Sequence, residues 1–105
     1  MTDDNVTGEI YNMLLASLHI TFTPDTATEK RIRNEAAAGI EFIRRYCDPE
    51  AACDPETFYG QLLCEYVLRA EAGDSQAFAK DFACEITSLK AEYDAKIYAE
   101  ANGYA

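Results

Sequence analysis

Apolar and small residues recur along this chain at three- and four-residue steps, and nowhere do they alternate with polar ones for long enough to make a strand. Val6, Ile10, Met13, Leu14, Ser17 and Leu18 describe a short amphipathic helix from Gly8 to His19, which stops before Thr21-Phe22-Thr23-Pro24. Thr23 or Asp25 is placed to cap a second helix, with Pro24 or its neighbour in the first turn, where a missing N–H does no harm. That helix runs to Cys47 on a stripe of Ile32, Ala36, Ile40, Ile43 and Cys47, flanked by Gly39 and Tyr46, with Phe42 off to one side. Asp48 to Cys53 reads as a loop, ended by Asp54-Pro55 as a cap and a first-turn proline. A third helix carries Phe58, Tyr59, Leu62, Leu63, Tyr66, Val67 and Ala70 on one broad face, and Gly73 is positioned to end it in a left-handed cap.

Asp74 then caps the last helix, expected from Ser75 to Glu100. Here Phe78, Phe82, Ile86, Leu89, Tyr93 and Ile97 follow one another at steps of four, four, three, four and four, the clearest pattern in the chain. At 1.5 Å per residue such a helix is about 39 Å long, longer than its neighbours can cover, so its end is expected to project. Its opposite side collects Ala77, Cys84, Ser88, Ala91 and Ala95, with Thr87 and Tyr98 beside them. Small residues permit close backbone approach, which suits a helix covered on that side by another chain. The same residues are also good helix formers on a plain surface, and periodicity alone leaves both readings open. The pattern as a whole predicts an all-α fold, a small bundle of about four helices with a long C-terminal helix, as one domain over 1–105 with 1–7 and 101–105 flexible.

Composition narrows what such a fold does. The chain has 105 residues, 49% of them hydrophobic, enough for one core but not for a deep cofactor cleft. Nine Lys and Arg face 19 Asp and Glu, a formal charge of -10 that argues against gripping a phosphate backbone. The acidic start Met1-Thr2-Asp3-Asp4-Asn5 lacks the basic residues of a secretion signal, and no run of about 18 apolar residues offers a membrane span. The four cysteines, 47, 53, 64 and 84, are read as free thiols in a reducing compartment. A zinc site wants a tighter Cys pair plus a second pair, so small hydrophobes is the preferred reading for all four. His19, the only histidine, reads as a helix-end cation or a partly buried ring. With no Gly-rich phosphate loop and no partner for His19, no catalytic, cofactor-binding or metal-ligating residue is assigned, and no enzyme activity is expected.

The position of the charges says more than their sum. Between Asp25 and Tyr46, five bases (Lys30, Arg31, Arg33, Arg44, Arg45) face four acids (Asp25, Glu29, Glu35, Glu41), whereas from Cys47 onward twelve acids face four bases. Oppositely charged faces suit head-to-tail association, in which one face meets the other face of the next copy and a rotation closes a ring. Ordinary i,i+4 pairs such as Glu41 with Arg45 give the same counts. On the association reading, the interface takes Ala77, Asp81, Cys84, Glu85, Ser88, Ala91, Ala95 and Tyr98 from the last helix and Arg31, Arg44 and Arg45 from the second.

The helix order, with "GIEFIRRYCDP" closing the long second helix and "DPETFYGQLLCEYVLRAEAGD" carrying the third, resembles the head-tail connector (adaptor) proteins of tailed bacteriophages and their prophage copies. The likeness covers residues 9 to 97 in order and spacing. Glu65-Tyr66-Val67-Leu68-Arg69-Ala70-Glu71 is the stretch that corresponds to the helix end reading like "YENRE" in the family, and the chain departs from the family in a short loop after Cys47 and a longer last helix. The resemblance implies a structural role without an active site: copies form a ring beneath the portal protein, extend the DNA channel and present a platform to a tail or head-completion protein. DNA would then be passing cargo only, and the protein would reside in the virion or, before assembly, in the host cytoplasm. A helical adaptor of a bacterium or mobile element, binding one partner protein through its last helix, is the alternative.

Overall fold

A computed structural model describes residues 6–74 and 76–103. The described residues contain five helices and no strand: α1 (Gly8–Ser17), α2 (Thr26–Tyr46), α3 (Phe58–Glu71), α4 (Gln76–Asp81) and α5 (Ala83–Ala101). The all-α bundle with a long C-terminal helix is therefore the fold of this chain. Of the ends expected to be flexible, Val6 is buried and Thr7 caps α1; residues 1–5 and 104–105 lie outside the described residues, as does the expected helix start at Ser75.

Local chemistry sets the helix ends. Thr7, Asp25 and Thr57 each adopt an extended backbone and accept a hydrogen bond from the N–H three residues on, at 3.2, 2.8 and 3.0 Å. Asp25, not Thr23, is thus the cap of α2. The third helix begins later than the Asp54-Pro55 signal implies: these two residues enter a turn closed by the Thr57 N–H on the Asp54 carbonyl, and Thr57 is the cap. Two helices end in the same motif. His19 N–H bonds to the Ala16 carbonyl and Ile20 N–H to that of Leu15, while Gly73 N–H bonds to Ala70 and Asp74 N–H to Arg69. Both motifs need a left-handed residue, and Gly73 (φ 82°) supplies it without strain, whereas His19 (φ 59°) carries a Cβ there.

The core lies among α1, α2 and α3 and is closed by α4. Leu14, Ile32, Ala36, Ile43, Leu63 and Val67 are fully buried, and each large aliphatic among them contributes about 1.5–3 kcal/mol by leaving water. Helices α2 and α3 meet closely at Gly39, where a Cβ would stand 2.7 Å from Leu63 Cδ1 and 2.8 Å from Tyr66 Cδ1. Phe78 plugs the end of this core, edge-on to Phe42 at 5.5 Å and to Tyr66 at 5.3 Å and stacked on Phe82 at 5.1 Å. The loop after α2 also reaches inward, with Cys47, Ala51 and Cys53 buried and the Ala51 carbonyl accepting from Arg44 Nε at 3.0 Å.

The final helix is interrupted, contrary to the single run from 75 to 100 that its periodicity predicts. Phe82 leaves helical dihedrals (φ −111°, ψ 21°), although its N–H still reaches the Phe78 carbonyl and its own carbonyl accepts from Ile86. A large ring drawn between Phe78 and the Arg69 guanidinium, 4.9 Å from its centroid, accompanies the break. Beyond it, α5 contains no buried residue. Phe82, Ile86 and Leu89 touch the core and Ile97 does not. The molecule measures 51 × 26 × 24 Å, with a radius of gyration of 14.9 Å against about 13 Å for a compact chain of this length.

Candidate interaction surface

The exposed side of α5 gathers part of the set expected to form an interface. Cys84, Glu85 and Ser88 line an open groove of about 370 Å³ together with Leu89, Glu92 and Phe58. Ala91, Ala95 and Tyr98 continue along the exposed surface of α5. Ala77 lies apart on α4, half-buried, before the break at Phe82. Asp81 also belongs to α4, where it accepts from Arg69 Nε at 3.1 Å. Glu85 and Glu92 have no ion pair among the described residues.

The three arginines separate. Arg31 forms a two-pronged pair with Glu71 of α3, Nε to Oε2 at 3.0 Å and Nη2 to Oε1 at 2.9 Å, so its charge is used within the chain. Arg44 is half-buried and spent on the Ala51 carbonyl. Arg45 alone is exposed without an ion pair among the described residues, and it borders a groove of about 330 Å³ walled by Phe42, Tyr46 and Tyr66. The two grooves offer opposite characters. One is flanked by Glu85 and Glu92, the other by aromatic rings, Arg45 and, one turn before it on α2, Glu41.

Two contributors escape the sequence pattern. The pattern puts Phe58 on the apolar face of the third helix and Tyr46 at the flank of the second helix's stripe, yet they are 49% and 46% exposed, one in each groove. A stripe wider than the contact it makes leaves its edge residues outside, and only the packing shows which edge.

Among the described residues no group of three or more His, Cys, Asp or Glu side chains is arranged to hold a metal ion. All four cysteines are free. Burial pushes the Cys53 thiol up to about 11 and raises Cys47 and Cys64, so these three are protonated and unreactive at neutral pH. Cys47 and Cys53 behave as the small hydrophobes expected, whereas Cys84 is exposed and does not. No helix among the described residues is long and apolar enough to cross a membrane. Comparison with family models, curated proteins and solved structures finds no match.

Proposed function

We propose that this chain is a structural subunit that assembles with copies of itself through α5, in the manner of the phage head-tail connectors it resembles, and that it performs no catalysis. One observation carries the reading: α5 has 19 residues and buries none of them, yet it is flanked by apolar and aromatic side chains. A lone helix of this length is marginal in water, so a helix held only along its first half gains from a second surface. The acidic groove on α5 of one copy then faces the Arg45 groove on α2 of the next. These are different patches, which makes the contact heterologous and ring closure a matter of rotation. In that setting the portal protein and a tail or head-completion protein are the further partners, and the acidic exterior does not retain DNA passing along the channel.

The test is light scattering across protein concentrations, alone and mixed with a portal protein, for the wild type and for Ala91→Glu/Ala95→Glu. Wild type should form a species of several subunits and the variant should remain monomeric with unchanged helicity. Equal assembly of both would remove this face of α5 from the interface. A wild type that stays monomeric in both settings and instead binds a single unrelated protein through α5 would favour the adaptor alternative.

A further inference from the structure

The seam between α2 and α3 contains two carboxyls that face each other. Glu35 lies one turn beyond Arg31 on α2 and lines an open cavity with Ala70 and Gly73, which bracket Glu71, the last residue of α3 and the partner of Arg31. Glu35 Oε1 is buried and has no hydrogen-bond partner. Both oxygens of Glu71 are taken by Arg31, which clamps it as a carboxylate. Two ionised carboxylates cannot hydrogen-bond, and one guanidinium does not neutralise both. A proton is the group that satisfies this arrangement, and it belongs on Glu35.

The surroundings agree from each side. Arg31 on α2 is the cation that acts at the site among the described residues, and it is committed to Glu71; Asp25, at the start of α2, acts on that same guanidinium. From α3, Glu71 and Tyr66 face Glu35, and the Tyr66 phenol is itself raised by burial and by that carboxyl. Burial, then Glu71, push Glu35 up to about 8, while Arg31 pulls Glu71 below the usual glutamate range. An open cavity of about 390 Å³, lined by Asn34, Glu35, Ala38, Tyr66, Ala70 and Gly73, opens Glu35 to solvent protons. Two residues after Glu71, Gly73 turns the chain toward α4 and α5, so the pair sits at the root of the arm.

We propose that Glu35 and Glu71 form a latch closed by one shared proton, joining the middle of α2 to the end of α3 where the α4–α5 arm departs. Closed, the Glu35 hydroxyl donates to a Glu71 oxygen. When the proton leaves to solvent, the two carboxylates repel across the seam and the root of the arm loosens. This device is independent of what docks on α5.

The sign of the pH dependence follows. The folded state holds a proton on Glu35 that the unfolded chain releases near the ordinary glutamate value, so this contribution is full at low pH and is lost as pH rises toward 8. The unfolding constant of wild type relative to Glu35→Gln should rise between pH 5.5 and 9 by up to about tenfold per pH unit over the titrating range. A Gln amide donates to Glu71 as the protonated acid does but cannot ionise. Glu35→Gln should therefore match wild type near pH 5.5 and exceed it in urea stability at pH 9. Amide exchange in the last turn of α3 and in α4, corrected for intrinsic rates, should accelerate above pH 8 in wild type only. A stability difference between the two proteins that is constant from pH 5.5 to 9 would overturn the latch. Should the variant fail to fold, carbon-13 titration of the wild-type carboxyls decides: Glu35 titrating in the ordinary glutamate range overturns it, and titration above neutrality supports it.

Discussion

Arg31 and Glu71, forty residues apart, meet through two parallel hydrogen bonds and tie the first half of α2 to the last residue of α3. The pair holds Glu71 in its ionised form and drags it below the usual glutamate range. A carboxyl depressed in the folded state stabilises above its unfolded pKa and loses that contribution as pH falls through the folded value. Arg31→Gln should therefore lower the urea midpoint at pH 7, where the ionised Glu71 loses its guanidinium partner. The deficit should shrink as pH falls through the depressed value of Glu71, where that carboxyl takes up a proton in both proteins. An equal deficit at both pH values would show that Arg31 acts by packing alone.

Gly60 has no room for a side chain, because a Cβ there would collide with the backbone carbonyl of Asp54. Backbone cannot swing aside as the end of a side chain can. Gly60→Ala should destabilise by about 2 kcal/mol or more in urea titration, whereas Gly8→Ala, with open space around it, should cost nothing measurable. Thr57→Ala should lose about 1 kcal/mol, since its hydroxyl caps α3 and also donates to the Asp54 and Ala52 carbonyls of the same turn.

His19 occupies a left-handed position that glycine fills in the matching motif at Gly73. His19→Gly should raise stability by about 0.5–1 kcal/mol, relief of the Cβ clash outweighing the added freedom of the unfolded chain. Calorimetry would register a Tm higher by a few degrees. A lower Tm would mean that the imidazole makes a contact worth more than the strain.

The thiols should react in two classes. At pH 8, Cys84 should be modified by a thiol reagent within the mixing phase of the native protein, whereas Cys53, with a pKa of about 11, has on the order of a thousandth of its molecules as thiolate and is also buried. Cys47 and Cys53 should react only on unfolding. Four equal rates in the native protein would contradict the packing of the loop from Cys47 to Cys53.

If α5 meets the Arg45 groove, assembly depends on charge. Arg45→Glu should weaken association of subunits in 0.05 M salt, and the difference from wild type should narrow in 0.5 M salt, where screening acts over about 4 Å. Sedimentation at both salt concentrations reads this directly, and an unchanged association constant would exclude Arg45 from the contact.

Much of the fold was legible in the linear pattern. Three-and-four spacing placed α1, α2 and α3 to within a few residues, because an amphipathic stripe is a local property of the chain. Gly73 could be read as a left-handed cap and Asp25 as an N-cap for the same reason, each acting on its own neighbours. Phe82 was not legible as a break: its position continues the stripe, and what accompanies the break is the seating of its ring between Phe78, one turn earlier, and Arg69 of α3. The surface was legible in part. The small residues of α5 mark an exposed face, but the interval of one helix face cannot show that Arg31 is held by Glu71, that Asp81 is held by Arg69, or that Phe58 stands open beside Ser88.

By itself, then, the sequence determined α1, α2 and α3, the caps at Asp25 and Gly73 and the acidic character of the second half, since propensity, capping and periodicity depend on residues a few positions apart. Tertiary structure decided which charges are already paired, which aromatic rings remain outside the core, and where a carboxyl must keep its proton. Those outcomes depend on distances between α2, α3 and the α4–α5 arm, and burial and charge coupling exist only once the chain has closed on itself.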